Sequence, residues 1–402
     1  MGGLLAVDRA IEQILSECEC SQKTEQLPIA DVCGRVLAES VVSSIDVPPL
    51  DNSAMDGYAL RYADLDGRPL AVSQRIAAGQ VGGRIKPGTA ARIFTGAPIP
   101  LGADTIVMQE DVDLCDGVIT ITEPSIKLGQ HVRPKGQDIA KGREVLLVGR
   151  RLKPQDIGVL ASIGVTDVVV YRPLKVAVIS TGNELVEPGQ PLAEGQIYNS
   201  NRFMLSALLQ SLGCEVIDGG VIVDDFASTA EQLSLLAAKA DVLISSGGVS
   251  VGEEDHVKTV VEALGELNLW RLNMKPGKPV AFGRIVQTPF FGLPGNPASS
   301  FVSFCLLVRP YLFKAMGRGA VAPLMISAKA DFNTVSSSTR QEYSRARVSY
   351  RKAQAWVERY HNQSSGVLLS TSWANALAVI EPGTTVNQGD VIGVLLLSEL
   401  LH

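Results

Sequence analysis

The apolar positions of this chain change period several times, and each change marks a change of element. Val7, Ala10, Ile11, Ile14 and Leu15 fall on one helical face, with Asp8, Arg9, Glu12 and Gln13 on the other, which predicts an amphipathic N-terminal helix. A second helical stretch is predicted over Ala30 to Ser40. Asp46-Val47-Pro48-Pro49 then forces extended chain, so a new unit is expected near residue 45. From Asp56 to about Thr122 short β-type runs, such as Arg92-Ile93-Phe94 and Thr105-Ile106-Val107-Met108, alternate with glycine and proline, the pattern of a small β domain. Pro154-Gln155-Asp156-Ile157-Gly158 opens a helical segment and Val168 to Tyr171 a strand. These are expected to pack back on the N-terminal helix, which would make the first domain discontinuous.

From residue 174 the rhythm is α/β, with a strand over Val176 to Ile179, a helix over Asn201 to Leu212, a strand region over Glu215 to Val223 and a helix over Ser228 to Lys239. Such alternation predicts a mainly parallel, doubly wound sheet with every βα loop at one end. The central element is Val242-Leu243-Ile244, a buried-strand run. It passes through Ser245-Ser246-Gly247-Gly248-Val249-Ser250 into a helix marked by Val257, Val260, Val261 and Leu264. Asn296-Pro297 reads as N-cap and first residue of a long apolar helix ending near Met316. The last 80 or so residues alternate like strands and carry turn signals such as Glu381-Pro382-Gly383, predicting a C-terminal β domain.

Composition narrows the function classes. With 402 residues and 46% hydrophobic content the chain can build several cores. A formal charge of −6 without Lys/Arg runs argues against a general nucleic-acid or membrane-surface binder. No apolar stretch is long and uninterrupted enough for a membrane span, so a soluble cytoplasmic protein is expected. The six cysteines form no C-x-x-C pair and the four histidines show no ligand spacing, which predicts reduced thiols and no structural transition metal.

Candidate chemistry gathers at the predicted carboxyl ends of the strands, where an open α/β sheet receives its ligands. Glu253, Glu254 and Asp255 follow the central glycine loop, Glu184 follows Ser180-Thr181-Gly182-Asn183, and Asp224 and Asp225 follow the Val221 to Val223 run. Carboxylates in such positions stabilise helix N-termini or cap helices, and three acidic loops around one crevice can also hold Mg²⁺ beside a phosphate. Positive charge comes from Trp270-Arg271-Leu272-Asn273-Met274-Lys275-Pro276-Gly277-Lys278-Pro279. Strand alternation would put Arg271 and Lys275 on one face, with Lys278 after a turn. Ser299 lies in the first turn of the helix opened by Pro297, a further anion position. The chain has no G-x-G-x-x-G after a strand, no P-loop and no G-x-S-x-G, so dinucleotide, NTPase and serine-hydrolase chemistries lack their motifs. The residues alone lead to an anion-handling transferase or hydrolase.

Six motifs in order then carry a resemblance: Asn52-Ser53-Ala54-Met55-Asp56-Gly57-Tyr58-Ala59, Arg92-Ile93-Phe94-Thr95-Gly96-Ala97-Pro98, Ser180-Thr181-Gly182-Asn183-Glu184-Leu185, the Ser245 to Ser250 loop, Met274-Lys275-Pro276-Gly277-Lys278-Pro279 and Leu293-Pro294-Gly295-Asn296-Pro297. Together they resemble the molybdopterin molybdenumtransferases of the MoeA family, to which the C-terminal domain of gephyrin is similar. The resemblance spans nearly the whole chain. It implies a four-domain homodimer that inserts molybdate into adenylylated molybdopterin with Mg²⁺ and releases AMP, the small β domain of one subunit facing the α/β domain of the other. A molybdopterin adenylyltransferase is the implied upstream donor.

By the same resemblance Glu184, Asp224 and Asp255 match the family's essential, metal-organising acids. Lys275, Lys278, Ser299, Arg345 and Ser365 match positions associated with molybdate or substrate anions, and Gly247 and Gly248 belong to the pterin-binding loop. Asp56 and Thr95 match functional positions of the small β domain. Arg271 stands where some relatives have lysine, and Glu253-Glu254-Asp255 where many bacterial relatives have Gly-Asp-Tyr-Asp-like loops. The implied division is a discontinuous elongated N-terminal domain (1–44 and 140–173), a small β domain (45–139), an α/β molybdopterin-binding domain (174–320) and a barrel-like C-terminal β domain (321–402). Two rival functions share these parts: a non-catalytic scaffold of the gephyrin kind, and a hydrolase of the adenylyl phosphate.

Overall fold

The computed structural model describes residues 4–222, 225–248 and 256–401. The chain separates into two compact units, one of residues 1–25, 34–38 and 170–402 and one of residues 26–33 and 39–169.

In the second unit six strands form one sheet in the order Thr105–Met108, Gly57–Leu60, Thr89–Ile93, Leu70–Ile76, Val118–Ile121 and Val112–Cys115. Alternation buries both faces: Ala59, Ala91, Ile93 and Ile106 join one apolar cluster, while Tyr58, Leu60, Ala90 and Val107 join the other. The helix predicted over 30–40 is absent. A single 3-10 turn spans Ile29–Asp31 and Gly34 then takes φ +85°. Leu37 bridges to Val170 in antiparallel fashion, so extended pairing outweighs a weak helical pattern there.

The first unit begins with α1 (Val7–Ser16), whose Val7, Ala10 and Ile14 are buried in one cluster with Tyr311 and Leu312. The α/β portion follows as β1 (Lys175–Thr181), α2 (Ser200–Ser211), β2 (Glu215–Ile222), α3 (Phe226–Ala237), β3 (Val242–Ser246), α4 (His256–Leu264), β4 (Gly265–Arg271), β5 (Pro279–Ile285) and β6 (Thr288–Leu293). The sheet runs β2-β1-β3-β6-β5-β4. Its first three pairings are parallel and its last two antiparallel. The sequence reading had no strand at residues 279–285. A two-residue connection returns β5 into β6, and such short links join only antiparallel neighbours.

Helices cover both faces, as a doubly wound sheet requires. Val176, Val178, Val242 and Ile244 point to the cluster containing α2 residues Leu205 and Leu209, whereas Ala177, Ile179 and Leu243 point to Leu233 of α3 and Val260 of α4. The predicted apolar helix is continuous from α5 (Pro297–Ser303) through one π-helical stretch, Phe304–Val308, to α6 (Arg309–Ala315).

The C-terminal strands β7 (Met325–Ala330), β8 (Gln341–Arg351), β9 (Gln354–Arg359), β10 (Ala376–Ile380) and β11 (Val391–Leu396) pair in the order β8-β9-β7-β11-β10. The β10–β8 pairing then closes a five-stranded barrel, which removes the free sheet edges. All six cysteines are unpaired, and no helix among the described residues is long and apolar enough to cross a membrane.

Candidate functional site

Register brings the loop-bearing ends of the strands together. Thr181 pairs with Ile222, Ser180 with Ser246 and Ser246 with Leu293, so β1, β2, β3 and β6 all leave the sheet at one edge. A cavity of about 790 Å³ opens there, lined by Glu184, Asn199, Asn201, Gly247, Gly248 and Ser299 among others. Both glycines are needed. Gly247 takes φ +86° and Gly248 φ +71°, and a Cβ on Gly248 would meet Val257 Cγ2 at 2.7 Å and Thr181 Oγ1 at 2.9 Å. Only a bare backbone lets the loop lie this closely against Thr181, with the Gly247 N–H donating to the Leu293 carbonyl at 3.0 Å.

Two asparagines that the sequence reading passed over hold this edge together. Asn199 caps α2, its Oδ1 accepting from Arg202 N at 3.3 Å and from Ser180 Oγ at 3.2 Å. Asn201 is buried, and its Nδ2 donates to Ser246 Oγ at 2.8 Å and to the Gly295 carbonyl at 2.7 Å. One side chain thereby ties α2 to the end of β3 and to the loop before α5. A local cue existed in the N-cap preference of asparagine before Ser200, but Asn201 has no local cue. Behind the pair, Arg202 is held between Glu187 and Asp218.

Among the candidate acids, Glu184 is exposed at the cavity wall, its carbonyl accepting from Ile197 N at 2.9 Å. Asp224 and Asp255, with Glu253 and Glu254, lie outside the described residues. Asp225 is a helix cap, its Oδ2 accepting from Ser228 N at 2.8 Å. Among the described residues no three His, Cys, Asp or Glu side chains converge on a point that could hold a metal ion.

The candidate cations divide into separate groups. Arg271 and Lys275 are not neighbours on one strand face. Leu272 N donates to the Lys278 carbonyl and Asn273 N to the Leu5 carbonyl, both at 2.7 Å, so the chain leaves β4 after Arg271. Lys275 then joins the barrel sheet, opposite Glu342 of β8. Lys278 is exposed, next to Pro279 of the cavity wall. Ser299 is buried at the cavity floor, where Ala298 N donates to the Ser365 carbonyl at 3.0 Å. Arg345 is only 1% exposed. Its Nε donates to Ser370 Oγ and its Nη2 to the Ser364 carbonyl, each at 2.9 Å. Burial pulls the Arg345 guanidinium down to about 10, and repulsion from Arg359 acts in the same direction against the attraction of Glu342. The resemblance places Arg345 among anion ligands, and its guanidinium also braces the Ser364-Ser365 turn against the barrel.

In the other unit Asp56 and Thr95 form a pair of their own. Asp56 Oδ1 accepts from Thr95 N and from Thr95 Oγ1, both at 2.8 Å. The backbone bond first, then the hydroxyl, hold the Asp56 carboxyl below the usual carboxylate range. Beside it the Arg92 guanidinium stacks over Tyr58 and Phe94, at 5.2 and 4.7 Å from the ring centroids.

Sequence and fold comparisons agree with one another. Residues 5–164 match the MoeA N-terminal region (domain I and II), residues 177–314 a probable molybdopterin binding domain, and residues 327–397 the MoeA C-terminal region (domain IV). The chain is 43% identical to a molybdopterin molybdenumtransferase of Haemophilus influenzae over 346 residues, 85% of either chain. It is 36% identical to one from Nostoc, over 93% of this chain and 89% of that one. The fold is similar to the crystal structure of a molybdopterin biosynthesis MoeA protein from Pyrococcus horikoshii OT3. That match has a TM-score of 0.84 at 30% identity and covers 98% of this chain and 100% of the other.

Proposed function

Because the chain belongs to the MoeA family of molybdopterin molybdenumtransferases, enzymes of molybdenum cofactor biosynthesis, we propose that its cavity at the sheet edge binds adenylylated molybdopterin and inserts molybdate there with release of AMP. The observation that carries this reading is the convergence of the Gly247-Gly248 loop, Glu184 and the Ser299 helix turn on one cavity of about 790 Å³, a size suited to a pterin nucleotide.

The Gly248 backbone N–H would receive the phosphate, the Gly247 N–H being held by the Leu293 carbonyl, and Ser299 with the α5 N-terminus would receive the oxyanion. Lys278 at the wall adds positive charge and steers anions inward. Asn201 keeps the three loops at fixed separation, so the groups on them stay oriented. The chemistry of the described donor fits Mg²⁺, since Glu184 offers a carboxylate oxygen at the cavity wall, and β1, β2 and β3 end at this same edge. Glu184, Asp224 and Asp255 would hold the ion, which supplies neutralisation of phosphate charge. The homodimer, the four-domain division and delivery of substrate by a molybdopterin adenylyltransferase belong to the same proposal, as do roles for Asp56 and Thr95 in turnover.

Purified protein should convert adenylylated molybdopterin to molybdenum cofactor only when molybdate and a divalent cation are both present. AMP release indifferent to molybdate would instead identify the hydrolase, and absence of turnover beside tight partner binding the scaffold.

A further inference from the structure

One wall of the cavity is a single loop, residues 182–198, which joins β1 to α2 and supplies Glu184, Leu185, Ile197 and Tyr198 to the lining. Its bonds are mostly its own. Leu185 N donates to the Gly182 carbonyl at 3.2 Å, Ile197 N to the Glu184 carbonyl at 2.9 Å and the Tyr198 hydroxyl to the Gln190 carbonyl at 2.9 Å. Leu185-Val186 pairs in parallel with Ile197-Tyr198, and Asn199 N closes the end on the Val186 carbonyl at 3.0 Å. Packing adds little: Leu192, Ile197 and Tyr198 are exposed, and no side chain of the loop joins either apolar cluster of the sheet. A two-stranded ribbon of this kind is marginal when left to itself.

Among the described residues, one side chain of the loop reaches out of it to bond elsewhere. Glu187 Oε2 accepts from Arg202 Nη2, and Asp218 Oδ2 of β2 accepts from Nη1 of the same guanidinium. Arg202 is only 8% exposed, and a guanidinium so enclosed keeps its carboxylates, because an unpaired buried charge is costly. Its place on α2 and its bond to Asp218 make Arg202 a fixed post, and Asp218 is itself held by Gly220 N at 2.9 Å. Glu187, with a side chain 43% exposed, is the member that the loop brings to it. Glu184 depends on the same backbone. Its carboxylate folds back over Gly182, where a Cβ would meet Oε2 at 2.5 Å.

We propose that Arg202 is a positioning residue of this cavity, its ion pair with Glu187 clasping the 182–198 loop so that Glu184 stays at the wall. The clasp rests on the geometry alone, whereas its effect on turnover rests on the proposed reaction. With the pair broken the loop keeps only its internal bonds and opens more often. Substrate then meets a wall that is closed for a smaller fraction of the time, and KM rises as that fraction falls. Once seated, the substrate holds the wall in place, so kcat changes less than KM.

The test compares wild type, Glu187→Ala and Asp218→Asn as full chains. Both substitutions alter one carboxylate partner of Arg202 without touching a core residue, but only the first releases the loop. Hydrogen exchange read by mass spectrometry should show residues 184–199 exchanging at least about tenfold faster in Glu187→Ala, the change that one charge-assisted hydrogen bond makes to an opening equilibrium. In Asp218→Asn the same residues should stay within about twofold of wild type. Steady-state kinetics with adenylylated molybdopterin should give Glu187→Ala a KM raised at least about threefold, with kcat altered less. Unchanged exchange in Glu187→Ala, or equal loosening in both variants, would overturn the clasp. A loosened loop with wild-type KM and kcat would leave Arg202 a structural residue and overturn its positioning role. Wild-type turnover without molybdate dependence would sink the proposed function, while the exchange result still decides the clasp.

Discussion

Burial decides what a charged residue of this chain can do. Lys278 is exposed beside the cavity wall and free to steer an anion, whereas Arg345 is shut in with two bonds to the Ser364-to-Ser370 segment. Removing it empties a buried site and takes one donor from Ser370 Oγ, which keeps its bond to the Val367 carbonyl, and one from the Ser364 carbonyl, so Arg345→Ala should lower stability by about 1 to 3 kcal/mol. Urea denaturation checks this, and a variant of wild-type stability that merely requires more molybdate would show that the bracing is dispensable and anion binding is the role of Arg345. Asp56 offers a pH test. Its folded carboxyl lies below the unfolded value because Thr95 donates twice to the ionised form, so it contributes stability above the ordinary carboxylate range that vanishes as pH falls through the folded value. The urea midpoints of wild type and Asp56→Asn should therefore differ at neutral pH and converge once the pH has fallen below the ordinary carboxylate range and through the lowered folded value. A gap unchanged by acid would mean that charge plays no part in the Asp56–Thr95 pair.

At the scale of elements, the cavity depends on loops from four strands holding a common position, and the parallel register sets that position to within a residue. Asn201 then locks α2 to two of those loops, and each lock joins groups far apart in sequence. Asn201→Ala leaves Ser246 Oγ and the Gly295 carbonyl without this donor, and should cost about 1 to 3 kcal/mol of unfolding free energy. Because the loops carry Gly247 and the residues preceding Ser299, turnover at subsaturating substrate should fall more than stability alone explains. Steady-state kinetics at a temperature where the variant is fully folded separates the two; unaltered KM and kcat would make Asn201 purely structural. The turn after Lys275 is equally confined, since Gly277 takes φ +99° and a Cβ there would meet Ser303 Oγ at 2.6 Å. Lys275 and Lys278 are separated by geometry that only glycine permits.

For the whole molecule, the second compact unit consists of two segments, 26–33 and 39–169, that interrupt the chain of the first. Each unit has its own buried clusters, and units with independent cores need not unfold together. The three tryptophans, Trp270, Trp356 and Trp373, all belong to the first unit. Tryptophan fluorescence should therefore follow that unit alone, while far-UV circular dichroism follows both. Their denaturation midpoints should differ; superimposable curves would establish one cooperative block.

Local order was legible in the sequence. Apolar period located α1, β1, α2, β3, α4 and the α5-to-α6 run, because the side chains of one element must share a face whatever they pack against. The order of six short motifs carried the family, and the glycine loop with Glu184 fell at the sheet edge because a βα connection has only one end to occupy. The helix expected at residues 30–40 failed where extended pairing with Val170 overrode propensity. The strand at residues 279–285 escaped notice because it is apolar around Gly283 rather than alternating. Everything that depends on distant partners was decided by the tertiary structure alone. Leu272 and Asn273 turn the chain through bonds to Lys278 and Leu5, which parts Arg271 from Lys275. Glu342 captures Lys275 from 67 residues away, and Asn201 finds Gly295 across 94. Periodicity records which way a side chain faces; which group it meets is set only when remote segments pack.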